Sequence, residues 1–409
     1  MKILVVSNLY PPYFVGGYEL GCREVVEGLK EKGHKVRVLT STYGIDKKEH
    51  NGEVYRWLKA NFGWKPEDKA NPLKLIRKEI NNQIAFIRIC SIFNPDVVYF
   101  WNLEAISVSL VFKAQSIGLP ISFAISDNWL SEWERDLWYS FCKRQPQRLI
   151  KKIVWKTVLP LLKKSGLLIS SKSPDLRNVH FNSRYLQEYC LKAGKPVANS
   201  KVIYRGIYIS QFPYKKECAE YPKHLLYAGQ IVPHKGVHTV IESLRILVQK
   251  HGYDFVKLTV VGGSVVPDYE ANIRGMVSTF GLEKYVHFTG QVSYEKMSCF
   301  YKEHEILIFS SIWDEPLSHT LFEGMSSGLA VVSTLTGGTP EILQDEYNAL
   351  IFPKQDAEAC ASQIIRLIDN QELFKRIRLS GRHTVEVKFR SETRVEKIEK
   401  ALQDAIANR

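Results

Sequence analysis

Short apolar runs alternate with longer stretches in which apolar residues recur every three or four positions. The run KILVVSN at 2–8 has the β-branched content of a strand. Over 18–31, Cys22, Val25, Val26 and Leu29 fall on one helical face. Gly33 then stops the helix, and KVRVLT at 35–40 predicts the next strand. DVVYFW (96–101) and PISFAI (120–125) are strand-like, with a helical pattern at 104–116 between them. This βαβ rhythm predicts a parallel sheet covered by helices on both faces. Past residue 205 it starts again. Strands are expected at 224–229, 255–263, 285–290, 305–311 and 329–334. Helices are expected at 237–250, near 269–280, after 290 and from about His319. The tail from 374 to 407 is helical, with a break at Phe389-Arg390.

The fold class predicted is α/β, with two Rossmann-like domains whose parallel sheets face each other across a cleft. Ligands of such sheets bind at the carboxyl ends of the strands. A length of 409 residues also favours two cores over one. The poorly periodic stretch 202–222 marks the change of unit. The expected domains are 1–205, 206–385, and a C-terminal helix at 386–409 that packs back on the first domain.

Seven scattered cysteines, with no C-x-x-C pair, suggest free thiols in a reducing compartment, and no metal site is expected. No apolar stretch approaches the ~20 residues needed to span a bilayer, and the N-terminus reads as a strand instead of a signal peptide. A cytoplasmic location is expected, with peripheral attachment to the inner face of a membrane as a variant of it. The net charge of +13 asks for an anionic partner. Between 141 and 166 there are eight lysines and arginines and no acid, with Leu149, Ile153, Val154, Val158 and Leu161 at helical spacing. Two readings stand: a surface helix with a solvated basic face, or a helix lying on an anionic membrane. Nucleic acid is not an expected partner, because no helix-turn-helix, RRM or zinc pattern accompanies the charge.

Three loops carry candidate chemistry. The first strand runs into a loop ending in Gly16-Gly17, directly before a helix; glycines there let backbone amides approach a phosphate, or serve a loop that needs positive φ. Strand 224–229 runs into Gln230-Ile231-Val232-Pro233-His234-Lys235-Gly236, which presents a lysine at a strand-to-helix turn where a diphosphate could be met. After strand 305–311, Glu315 precedes a helix that contains Glu323. The backbone amides of 317–321, including those of Ser318, His319, Thr320 and Leu321, would point from that helix start toward an anion. Carboxylates accept paired hydrogen bonds from vicinal sugar hydroxyls. The blander alternative is two acids decorating a helix start.

In this order, the Gly-Gly loop, the Gly-x5-Lys-Gly turn (Gly229 to Gly236), the Glu-x7-Glu motif (Glu315, Glu323) and Gly-Gly-x-Pro-Glu (Gly337 to Glu341) resemble the family 4 retaining glycosyltransferases of GT-B architecture. The resemblance covers nearly the whole chain. It implies that Lys235 neutralises the donor diphosphate, Glu315 contacts the transferred sugar, and Glu323 holds the ribose hydroxyls. Gln230 and the amides near Ser318, His319, Thr320 and Leu321 would complete the donor site, with Gly16 and Gly17 closing from the other domain. Ser126 and Asp127 are implied as contacts to acceptor or sugar. Three positions depart from the family pattern: Gln230 stands where Arg is usual, Ser126-Asp127 replaces His-Asp, and Tyr204-Arg205-Gly206 replaces Tyr-Asn-Gly. Arg205 is a candidate replacement for the missing cation.

The implied reaction transfers a sugar from a UDP- or GDP-linked donor with retention of anomeric configuration. The acceptor is not named by the resemblance; the basic region 141–166 points to a lipid-linked or otherwise anionic glycan as one candidate. No cofactor or metal is implied, since fixed positive groups take a cation's place. The alternative is a nucleotide-sugar-binding protein of the same fold without turnover.

Overall fold

In the computed structural model, residues 1–45, 47–61, 72–143, 174–215 and 221–408 are described. Most of the basic stretch, from 144 to 166, lies outside them. The chain divides into two compact units, Met1–Tyr204 with Val395–Arg409, and Arg205–Arg394.

The first unit holds an eight-stranded sheet. Its strands are β1 (Lys2–Val6), β2 (Lys35–Ser41), β3 (Glu49–Asn51), β4 (Val54–Leu58), β5 (Val97–Phe100), β6 (Ile121–Ile125), β7 (Val179–Phe181) and β8 (Lys201–Val202). They lie in the order β3-β4-β2-β1-β5-β6-β7-β8, parallel except for the β3–β4 pair. Alternation along the strands sorts the core onto two faces. Leu4, Val6, Val98 and Phe100 meet α2 (Pro72–Phe93), α3 (Ser109–Ser116) and α5 (Arg184–Lys192), while α4 (Leu137–Lys143) packs beside them. Ile3, Val5, Val97 and Tyr99 meet α1 (Gly17–Glu31) on the other face. Val395, Ile398 and Leu402 of the last helix, α12 (Ser391–Ala407), join that second face.

The second unit has strands β9 (His224–Ala228), β10 (Lys257–Val261), β11 (Val286–Gly290), β12 (Ile306–Phe309), β13 (Ala330–Ser333) and β14 (Leu350–Ile351), in the order β11-β10-β9-β12-β13-β14. All are parallel. Its helices are α6 (Val237–Arg245), α7 (Pro267–Thr279), α8 (Met297–Glu303), α9 (His319–Ser327), α10 (Ala357–Asp369) and α11 (Gln371–Lys388).

Strand order reverses between β1 and β5 in one sheet, and between β9 and β12 in the other. A crevice opens outside the strand ends at such a reversal, and this places the polar loops described below.

Three expectations need adjustment. The helix predicted over 104–116 begins only at Ser109, because the Asn102 side chain accepts the amide of Glu104 at 2.7 Å and Ala105 takes a positive φ. The helix over 237–250 ends as α at Arg245 and continues as one π turn at Ile246–Lys250. The second unit runs past residue 385 to Arg394, so only the later part of the last helix belongs to the first unit.

Candidate active site

The loops after β9 and β12 are tied together by their backbones. Ile312 donates its amide to the carbonyl of His234 at 3.0 Å, and the Ser310 hydroxyl donates to the carbonyl of Lys235 at 3.0 Å. Pro233–Lys235 forms a short 3₁₀ turn, which Gly236 closes at φ 71°. A Cβ at Gly236 would stand 2.0 Å from the Ser310 carbonyl oxygen, so only glycine permits this approach. The Lys235 ammonium consequently reaches across to Glu315, with Nζ 2.6 Å from Oε1. Trp313 lies beside the pair, its ring centroid 6.0 Å from Nζ.

Glu315 is itself held from behind. Gly338 donates its amide to the Glu315 carbonyl at 2.7 Å. Gly337, at φ 52°, leaves no room for a Cβ, which would fall 2.1 Å from that oxygen. The Gly-Gly-x-Pro-Glu segment therefore positions the Glu315 loop, and a side chain at Gly337 would displace it.

Ser318 occupies the N-cap of α9 in extended conformation, yet its side chain makes no capping bond. The first-turn amides of a helix have no acceptor within it, and the helix dipole places partial positive charge there. His319, Thr320 and Leu321 form that first turn. One turn on, Glu323 is buried and lies 2.8 Å from His319 Nδ1 through Oε1, while Oε2 accepts the Tyr301 hydroxyl at 2.6 Å. Burial works to raise the Glu323 carboxyl. The neighbouring His319, the Tyr301 hydroxyl and Arg205 outweigh it, and the group is held below its usual range. Gln230 begins the β9 loop, where its carbonyl accepts the Tyr227 hydroxyl at 2.9 Å. Tyr301 was not a candidate from sequence, because an aromatic in a short helix carries no spacing signal.

In the first unit, Asn8, Asn102 and Asp127 follow β1, β5 and β6. The Asp127 carboxylate accepts the Asn102 amide and, at 3.1 Å, the backbone amide of Trp129. The Tyr18 hydroxyl donates to Asn8 Oδ1 at 2.7 Å. Asp127 keeps some exposed surface, but desolvation by the surrounding protein, with Glu104 and Glu19 adding repulsion, pushes its carboxyl up to about 7. Ser126 is half-buried beside it.

Gly16 adopts extended backbone, so the glycine pair does not serve a positive φ there. Its amide is already engaged. Glu19 folds back and accepts the amides of Val15 and Gly16 at 3.1 Å each. A buried carboxylate thus accepts the Gly16 amide within its own helix start. Burial pushes that carboxyl up to about 6. Asn8, Tyr18 and Asn102 carry no motif in the sequence, and topology alone gathers them, whereas Glu19 holds Gly16 through the local capping-box spacing.

The lines of comparison agree on what this framework is. Residues 15–211 match the family described as Glycosyltransferase Family 4, and residues 211–384 match Glycosyl transferases group 1. An uncharacterized glycosyltransferase of Methanocaldococcus jannaschii is 24% identical over 371 residues, covering 87% of this chain and 86% of that one. Other relatives align over about half of their own length. Sucrose-phosphate synthase from Thermosynechococcus elongatus superposes with a TM-score of 0.73 at 19% identity, over 100% of both chains. HepE of Anabaena, in complex with UDP-glucose, gives 0.69 at 16% identity, covering 99% of this chain and 100% of that one. The fold is that of the GT-B glycosyltransferases. The chain belongs to glycosyltransferase family 4.

Proposed function

We propose that this glycosyltransferase moves a sugar from a nucleotide-diphosphate donor to a glycan or lipid-linked acceptor with retention of configuration. The observation that carries the donor assignment is the Lys235–Glu315 pair standing at the β9/β12 switch point, in the same unit as the uncapped start of α9. An ammonium and a helix N-terminus are both suited to a diphosphate. The structure of HepE, which has the same fold, holds UDP-glucose, which favours a uridine-linked donor; a guanosine-linked one satisfies the same groups.

In this reading Lys235 and the α9 amides take up the charge that builds on the diphosphate as the C1–oxygen bond breaks. The acceptor hydroxyl attacks C1 on the same face, and its proton passes to the departing phosphate oxygen. The products are the glycoside and the nucleoside diphosphate, with no proton or electron left over. Glu315, fixed against Lys235 before substrate arrives, contacts the sugar; Glu323 accepts from the ribose hydroxyls. The protein supplies orientation and fixed charge, and no side-chain nucleophile is required. In the first unit Ser126 and Asp127 face the acceptor.

Glu323→Ala and Lys235→Ala should each cut transfer, and Glu323→Ala should also lower the thermal transition, because His319 and Tyr301 lose their buried partner. Unchanged transfer in both variants would remove the site assignment. Nucleotide binding with no turnover on any acceptor would leave a binding protein in place of an enzyme.

A further inference from the structure

The outer face of α2 is unlike that of any ordinary surface helix. Positions 73, 77, 80, 84, 87 and 91 follow one another in steps of three and four and are all exposed, so they make a single row. The row reads Leu73, Arg77, Ile80, Ile84, Ile87 and Ser91, with Lys74, Arg88 and Ile92 exposed beside it. Leu73, Ile84 and Ile92 each leave more than half of their surface in solvent. Scattered exposed aliphatics are normal, but a continuous row along a 22-residue helix is not. The inner face is already satisfied, since Ala85, Phe86, Ile89 and Phe93 pack in the core. Leu73, Ile84 and Ile92 are therefore left largely outside that core.

Charge indicates what covers it. The one acid of the helix, Glu79, is buried, so the exposed face carries cations and no carboxylate. More positive charge is anchored alongside. Lys59 is fixed to α2 through its backbone, its amide donating to Asn82 Oδ1 at 2.7 Å and its carbonyl accepting from Asn82 Nδ2 at 3.0 Å. Arg88 lies against Trp57, 5.1 Å from the ring centroid. Lys48 is near enough to both that, after partial burial, Lys59 and Arg88 further disfavour its charged form. Among the described residues no carboxylate forms an ion pair with Lys48, Lys59, Arg77 or Arg88. An arrangement of mutually repelling cations around an aliphatic row is complementary to a surface that is apolar beneath and negative above.

A second copy of the chain fits poorly. Side by side in parallel, Arg77 would face Arg77; in antiparallel pairing centred on the isoleucines, Arg77 would come beside Arg88. Either way like charges meet along the seam. We propose that the outer face of α2, with Lys48, Lys59 and Arg88 at its edge, docks on an anionic phospholipid bilayer. The aliphatic row enters the interfacial zone, the cations sit at headgroup level, and Trp57 lies where amphipathic rings are favoured. This proposal makes no use of the basic stretch 141–166 and does not depend on the donor assignment.

The test is sedimentation of the full chain with vesicles of phosphatidylcholine alone and with a third of phosphatidylglycerol. The parent should bind the anionic vesicles, ignore the neutral ones and be released by high salt. Ile84→Glu/Ile87→Glu should bind at least about tenfold more weakly, with nucleotide affinity unchanged, whereas Ile84→Leu/Ile87→Leu should bind like the parent. If the glutamate variant unfolds, Lys48→Gln/Arg77→Gln carries the test with a severalfold loss. The proposal is overturned if the parent does not sediment with anionic vesicles, or binds neutral ones equally. It is also overturned if the folded charge-bearing variants bind undiminished, or if the isoleucine changes convert a dimer to a monomer without affecting lipid binding.

Discussion

At the switch point of the second sheet, each carboxylate is partnered: Glu315 by the Lys235 ammonium, and Glu323 by His319 and the Tyr301 hydroxyl. At the switch point of the first, Asn8, Tyr18, Asn102 and Asp127 are linked by hydrogen bonds, and among the described residues no lysine or arginine pairs with Asp127 or Glu19. The two sheets differ in strand number and in the antiparallel β3 edge, but both reverse strand order beside their first strand and place polar loops at equivalent ends. Their electrostatics are opposite. Glu323 is held below the usual carboxylate range despite burial, while Glu19 and Asp127 are pushed up to about 6 and about 7 because burial meets no cation. One sheet end is prepared for an anion. The other offers amide and hydroxyl groups beside carboxyls whose ionisation burial disfavours, hydrogen-bonding chemistry that suits hydroxyl groups. Similar frames thus acquire different chemistry through a handful of loop side chains.

The largest expected effect breaks this comparison at its charged end. Lys235→Ala should lower the rate of sugar transfer roughly 10²–10³-fold, the scale for removing one group that meets developing negative charge. Steady-state assay with a UDP- or GDP-sugar measures it, and a loss below threefold would mean that the ammonium does not face the diphosphate.

The next effect concerns stability and sharpens the contrast between units. Glu79, in the first unit, is fully buried, with one oxygen serving Ser109 and Gln83 and the other lacking a partner. Burial pushes it up to about 7 from an ordinary 4.5. A carboxyl raised on folding binds its proton more tightly in the folded state. Its contribution is full below about pH 4.5 and is lost as pH rises toward about 7. Glu79→Gln should remove that loss, so the variant gains on the parent between pH 5 and pH 8 by about 3 kcal/mol at most. Denaturant unfolding at both pH values measures it. A gap that does not change with pH would show that Glu79 titrates normally. Glu323 carries the opposite sign, with stability present above 4.5 and lost as pH falls below it.

The smallest effect asks whether the charged end can be strengthened. Gln230→Arg adds a cation to the loop that leads to Lys235 and should tighten nucleoside diphosphate binding by about 1 kcal/mol. Calorimetry at low and high salt measures it. Affinity that stays equal, or falls, would mean that residue 230 points away from the diphosphate.

Much of this architecture was legible from apolar periodicity. The strands at 35–40, 224–229 and 329–334 match the observed ones within a residue or so, because parallel strands buried on both faces read as unbroken apolar runs. The break between the last two helices also falls where Phe389-Arg390 interrupts the pattern. The β3–β4 hairpin and β7, β8 and β14 did not stand out, being two to five residues long. Helix α2 escaped notice for a different reason: aliphatics on its outer row and core residues on its inner face leave little contrast between sides. Lys235, Glu315 and Glu323 could be picked out because each stands at a strand-to-helix turn. Tyr301 and Asn102 could not, because only the folded chain brings them to Glu323 and Asp127; Glu19 stands three residues after Gly16, a local spacing that names no ligand.

The most direct test is calorimetric titration of UDP and GDP into the parent, Lys235→Ala, Glu323→Gln and Asp127→Asn. One of the two nucleotides should bind the parent, with affinity falling at least tenfold in the two second-unit variants and remaining within about twofold in Asp127→Asn. Equal binding by the parent and Lys235→Ala, or a loss confined to Asp127→Asn, would contradict the assignment of the donor to the second unit.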